Sequence, residues 1–125
     1  MHPKVHNAGF LALVNDAKTR VQEISIQHYL EMASSGKPHL LVDVREEGEW
    51  GAGHAAGAIH LGKGVIERDI EAKVPDHDAT IVLYCGGGFR SALAADALLK
   101  MGYRGVLSLD GGWRAIQASG LPIEK

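Results

Sequence analysis

Cys85 is the only cysteine of the chain, and it stands before Gly86, Gly87 and Gly88, followed by Phe89, Arg90 and Ser91. A thiol is a strong nucleophile once ionised, so its surroundings decide what it is for. The apolar run Ala79–Cys85 reads as a strand, the glycines as a tight loop, and Ser91–Met101 as a helix. Strand, tight loop and helix form the geometry that lifts a nucleophile out of a sheet. Curling successive N–H groups toward one point needs φ > 0 at some positions, which glycine reaches freely. Such a nest of amides, at the positive end of a helix, stabilises an anion, here the Cys85 thiolate. Arg90 adds a permanent cation able to pair with a bound oxyanion. A lone cysteine is otherwise a small core hydrophobe, and the glycines with Arg90 tip the reading to a nucleophilic thiol acting on an anionic substrate.

The elements that must hold this loop follow from periodicity. Phe10, Leu11, Leu13, Val14 and Ala17 lie at helical spacing and predict a helix over 7–20, with Asn7 as N-cap. A short strand over 21–25 follows, then a helix capped by Ser25 through about Ser34. The apolar run His39–Val44 predicts a strand covered on both faces. One helical turn over 46–50, a small strand over 58–61 and a helix over 65–74 come next. After the Cys85 strand and its helix, 105–109 reads as a strand and 111–119 as a final helix.

Strands alternating with helices predict an α/β fold with a mainly parallel sheet covered on both faces. Ligands in such sheets bind beyond the carboxyl ends of the strands, where both Cys85 and Asp43 fall. Asp43 is therefore a possible neighbour of the active site. A structural ion pair with Arg45 is the competing reading.

Composition narrows the partners. A chain of 125 residues is one domain by size, and its charge of −2 lacks the basic excess that phosphate-backbone binding needs, so no nucleic-acid partner is expected. No apolar run approaches the ~20 residues that span a bilayer, so no membrane partner is expected either. One cysteine and a short, interrupted N-terminal apolar segment predict a reducing, cytoplasmic location. The seven histidines show no metal-ligand spacing: His2 and His6 flank Pro3, and His54 and His60 have no cysteine or carboxylate partner at a recognisable interval. No metal is expected. Trp50 and Trp113 read as packing residues, and Phe89 as an apolar residue at a pocket mouth or a docking point.

Several ordered blocks resemble the rhodanese family of single-domain sulfurtransferases. "LLVDVREEGEW" is similar to the family's Asp-Val-Arg block with its Glu-aromatic pair, and "GHAAGAIHL" to its Gly-His-x-x-Gly-Ala block. "YCGGGFRSALAADALLKMGY" resembles the catalytic loop and following helix, and "LDGGWRAIQASGLP" the closing segment. The resemblance runs from Val21 to Lys125, so residues 21–125 are expected to form the rhodanese-like domain and residues 1–20 a helical extension. That extension has two expected places, against a sheet flank or in self-association.

What the resemblance implies is a five-stranded parallel sheet flanked by helices on both faces, with an extra N-terminal helix. It also implies a ping-pong cycle in which Cys85 takes a sulfane sulfur from a donor such as thiosulfate and passes it to cyanide or a thiol. The main-chain N–H groups from Gly86 through Gly87, Gly88, Phe89 and Arg90 to Ser91 would hold the persulfide, and Arg90 would steer the donor. No metal or organic cofactor is implied. In this fold a six-residue loop from cysteine to arginine goes with sulfur transfer and a seven-residue loop with dual-specificity phosphatases; Cys85 through Arg90 counts six. Two residues depart from the family pattern: Ala56 stands where proline is usual, and Gly86 where many thiosulfate-using members carry arginine. The second leaves 3-mercaptopyruvate or a protein persulfide open as donor. The alternatives to an enzyme of this kind are a persulfide relay module serving a partner protein, and a phosphatase or arsenate reductase on the same scaffold.

Overall fold

A computed structural model describes residues 6–125, so His2 and the first five residues of the extension lie outside the described residues. The chain runs α1 (Ala8–Lys18), β1 (Gln22–Ile24), α2 (Ile26–Ser34), β2 (Leu40–Asp43), α3 (Glu47–Ala52), β3 (His54–Ala55) and β4 (Ile59–His60). It continues through α4 (Ile66–Lys73), β5 (Thr80–Tyr84), α5 (Phe89–Lys100), β6 (Gly105–Leu109), α6 (Gly112–Ser119) and β7 (Ile123–Glu124). Five strands form one sheet in the order β1-β6-β5-β2-β4, parallel throughout. The five-stranded parallel sheet expected from the sequence is present, and so is the extra N-terminal helix.

The central strand β5 shows why both faces must be covered. Ile81 and Leu83 alternate with Val82 and Tyr84, and the two sets enter different buried clusters. One cluster joins Ile81, Leu83 and Cys85 to Ile66 and Ile70 of α4 and to Ala94, Ala95 and Leu98 of α5. The other joins Val82 and Tyr84 to Tyr29 of α2 and Ile116 of α6. Cys85 thus continues the alternation onto the α5 face.

The N-terminal helix packs on α5, burying Val14 and Ala17. Arg20, just past α1, clamps Asp96 of α5 through Nε and Nη2, at 2.8 and 2.9 Å. Asn7 takes the N-cap backbone conformation, but its side chain makes no capping bond. Ser25 does cap α2, accepting from the His28 N–H at 3.1 Å.

Three details differ from the sequence reading. Helix α5 starts at Phe89, two residues before the expected Ser91, because Gly88 at φ +105° turns the chain directly into the helix. Phe89 and Arg90 are therefore first-turn residues of a helix. The turn over 46–50 extends into α3, held by a capping box in which the Glu46 and Glu49 side chains each accept the other's backbone N–H. Finally, β3 and β7 pair antiparallel as a two-residue ladder, too short to leave a periodic trace in the sequence.

Candidate active site

Cys85 follows the last residue of β5 and is 1% exposed. Its sulfur accepts the Gly88 N–H at 3.1 Å and the Ser91 N–H at 3.3 Å. Of the amides from Gly86 to Ser91, these two point at Sγ. Ser91 Oγ lies 3.5 Å from the same sulfur and 2.8 Å from Ser108 Oγ on β6. Both serines are fully buried, so a hydroxyl chain runs from the sheet to the thiol. Two amides that donate to one sulfur can stabilise negative charge that develops there.

Of the three loop glycines, one needs to be glycine for its backbone. Gly88 alone has positive φ, which strains any side chain there, although an added Cβ would meet Gly111 N at 3.4 Å and Leu109 O at 3.5 Å in ordinary contact. Gly87 faces open space, and a Cβ on Gly86 would meet only the Arg90 guanidinium, at 3.2 Å. The loop is closed from the other side by α6. The Trp113 N–H donates to the Cys85 carbonyl at 2.7 Å, and a Cβ on Gly112, at φ +48°, would land on that same carbonyl oxygen.

Above the sulfur opens a pocket of about 740 Å³, lined by residues from four parts of the chain. The loop contributes Cys85, Gly86, Gly87, Phe89 and Arg90. Arg45 and Glu49 come from the end of β2 and from α3, Trp113 and Arg114 from α6, and His6, Asn7 and Phe10 from the start of α1. All four lie at the carboxyl edge of the sheet or beside it.

The cations are not equivalent. Arg45 is buried, clamped by Asp43 at 2.7 to 3.0 Å, bonded to Gly53 O at 2.6 Å, and its guanidinium lies 4.6 Å from the Trp113 ring centroid. Asp43 does not line the pocket; it is sealed beneath, and its contribution is to fix Arg45. Arg90 does line the pocket, but its guanidinium is taken by Glu49 at 2.8 and 3.1 Å. Those hydrogen bonds from Arg90 hold the Glu49 carboxyl down to about 2. Arg114 is exposed and makes no ion pair among the described residues.

Sequence reasoning missed Arg45 and Arg114 as pocket cations, Ser108 behind Ser91, and the whole α1 wall. Trp113, read as a packing residue, faces the pocket. Trp50 instead stacks between His54 and His60, at centroid distances of 3.4 and 5.1 Å. Both histidines are spent on carbonyls, His54 Nδ1 at 2.9 Å from Trp50 O and His60 Nε2 at 2.7 Å from Arg45 O. Among the described residues no cluster of three or more His, Cys, Asp or Glu side chains is placed to hold a metal. No helix of the described residues is long and apolar enough to cross a membrane.

Residues 25–119 match the family model for the rhodanese-like domain. The chain belongs to the rhodanese-like family. A probable adenylyltransferase/sulfurtransferase, MoeZ, of Mycobacterium tuberculosis is 42% identical over 79 residues, 62% of this chain and 20% of that protein. Among solved structures, the thiosulfate sulfurtransferase of Pseudomonas aeruginosa superposes with a TM-score of 0.75 at 28% identity, covering 84% of this chain and 20% of that one. A protein of unknown function from Rhodopseudomonas palustris, described as a possible tyrosine phosphatase, superposes with a TM-score of 0.82 at 29% identity, over 99% of this chain and 100% of that one. This rhodanese-like chain thus spans about a fifth of the length of the two named sulfurtransferases. The full-length superposition includes α1, so a helix before the rhodanese-like core is shared with that neighbour.

Proposed function

We propose that this protein is a sulfurtransferase whose Cys85 carries a sulfane sulfur as a persulfide between a small anionic donor and a thiophilic acceptor. The observation that carries the reading is the pair of N–H groups, Gly88 and Ser91, directed at a buried Sγ. The Cys85 thiolate attacks the outer sulfur of thiosulfate; an Sγ–S bond forms, the donor's S–S bond breaks, and its electron pair leaves with sulfite. The remaining persulfide anion is stabilised by the same loop amides, in the manner of an oxyanion hole. Cyanide or a thiolate then attacks the outer sulfur, and Sγ departs as thiolate, so charge and electrons balance without a cofactor.

Arg114 is the cation best placed to attract the donor, because Arg45 and Arg90 already hold carboxylates. Arg90 joins only by exchanging Glu49 for the incoming anion. The sulfurtransferase names of the relatives favour this chemistry. A relay role, in which a partner protein supplies or receives the sulfur, uses the same persulfide.

The Rhodopseudomonas palustris neighbour's description favours a second reading, phosphate-ester hydrolysis. Against it stands the six-residue loop, a ring too tight for a tetrahedral phosphoryl group. Thiocyanate formation from thiosulfate and cyanide, lost in Cys85→Ser, is the expected result. Hydrolysis of an aryl phosphate at a comparable rate would overturn the reading. Little turnover with free donors but fast exchange with a protein persulfide would assign the relay role instead.

A further inference from the structure

We infer that the N-terminal extension makes the Cys85 pocket select, among thiosulfonate donors, those whose sulfonyl group bears an aromatic body over those that bear a small alkyl group. The inference rests on the persulfide reading above and adds the class of donor.

Size is the first argument. Thiosulfate occupies on the order of 100 Å³ on a scale of ~30 Å³ per water molecule, and the pocket offers about 740 Å³. Cavities of ~300–1,000 Å³ suit organic ligands several times larger. A single thiosulfate would leave most of this one unfilled.

The chemistry of the wall is the second. Phe10 of α1 and Phe89 of α5 stand with ring centroids 6.2 Å apart, and the His6 ring lies 5.2 Å from the first and 4.6 Å from the second. All three line the pocket. Arg114 lines it too, beside Arg90 with its guanidinium held by Glu49, so the cavity offers a cationic group for an anionic head and an aromatic surface for an apolar body. Rings of this kind pack on an aryl group at offset or tilted angles.

The wall is fixed. Val14 and Ala17 bury α1 against α5, and Arg20 ties it to Asp96, so Phe10 is held by packing over two turns of helix. Phe89 is braced from its other neighbour, Lys18, whose ammonium lies 4.9 Å from the ring centroid. Phe10 and His6 precede the stretch that matches the family, which begins at residue 25, so this part of the pocket wall comes from outside the matched domain.

The transfer step is the one already described with a different leaving group. Cys85 Sγ bonds to the sulfane sulfur, the bond from that sulfur to the sulfonyl sulfur breaks, and the electron pair leaves with a sulfinate. No proton, oxidant or reductant enters.

The test compares benzenethiosulfonate with methanethiosulfonate, cyanide being the acceptor and thiocyanate the product. Both donors release a sulfinate, so their intrinsic reactivities are constant across variants and the change in the kcat/KM ratio isolates the wall. The native protein is expected to favour the aryl donor about tenfold. Phe10→Ala should lower that ratio severalfold, Phe10→Leu should keep most of it, and Leu13→Ala, 62% exposed on α1 outside the pocket, should leave it unchanged. An equal ratio in native protein and Phe10→Ala would overturn the inference. Failure of every donor to place sulfur on Cys85 would overturn the persulfide reading instead, which intact mass distinguishes.

Discussion

Arg90 reaches Glu49 with both terminal nitrogens, Nη1 to Oε1 at 2.8 Å and Nη2 to Oε2 at 3.1 Å, beside the pocket that contains Cys85. An incoming anion must compete with a carboxylate held bidentate, and Glu49 stays ionised down to about pH 2 because of Arg90. Glu49→Gln keeps an oxygen for the Glu46 N–H that closes the α3 cap but removes the charge. The expected outcome is a KM for thiosulfate lowered about threefold to tenfold at low ionic strength, with kcat little changed. Steady-state kinetics at two salt concentrations measure this, and a raised KM would show that Glu49 orients Arg90 for the donor.

Two neighbouring glycines should behave differently. Gly88→Ala forces a Cβ onto a backbone at φ +105°, costing about 1–2 kcal/mol and roughly 5 °C in Tm. The same change swings the Gly88 N–H away from Sγ, so turnover should fall further than stability alone explains. Gly87→Ala, with open space around its Cβ, should shift Tm by less than about 2 °C. Paired thermal denaturation and turnover assays check the contrast.

Asp96 governs how α1 responds to acid. The hydrogen bonds from Arg20 hold its carboxyl at about 2, below its ordinary 3.8. A depressed folded-state value means the stabilisation is complete above about pH 4 and is lost as pH falls from about 4 to 2. Arg20 is half-exposed, so solvent screening reduces the effect. Asp96→Asn should be less stable than the native protein at neutral pH, and the difference should vanish near pH 2. Urea melts across this range provide the test.

Local physics made much of this molecule readable from its sequence. The β5 run, the α5 stripe and the Ser25 cap each carry their own periodic or capping signal, and Cys85 with Gly88 and Arg90 lies within one short segment. What escaped is non-local. Arg45 was visible at a strand end, but its place beside Trp113 depends on β2 and α6 meeting above β5. Glu49 as the partner of Arg90 requires contact across 41 positions, and Ser108 behind Ser91 requires the pairing of β5 with β6. The position of α5's first turn depended on which glycine takes positive φ, a choice among three neighbouring glycines that nothing local distinguishes. Phe10 looked like one more residue on a helical stripe, because nothing local distinguishes a ring facing α5 from one facing a pocket.

The central claim is that Cys85 carries the transferred sulfur. Intact mass of the native protein after incubation with thiosulfate and removal of excess donor measures it directly. The account predicts an increase of one sulfur atom, removed by cyanide and absent in Cys85→Ser. An unchanged mass with every sulfane donor tried, or the same adduct on Cys85→Ser, would contradict it.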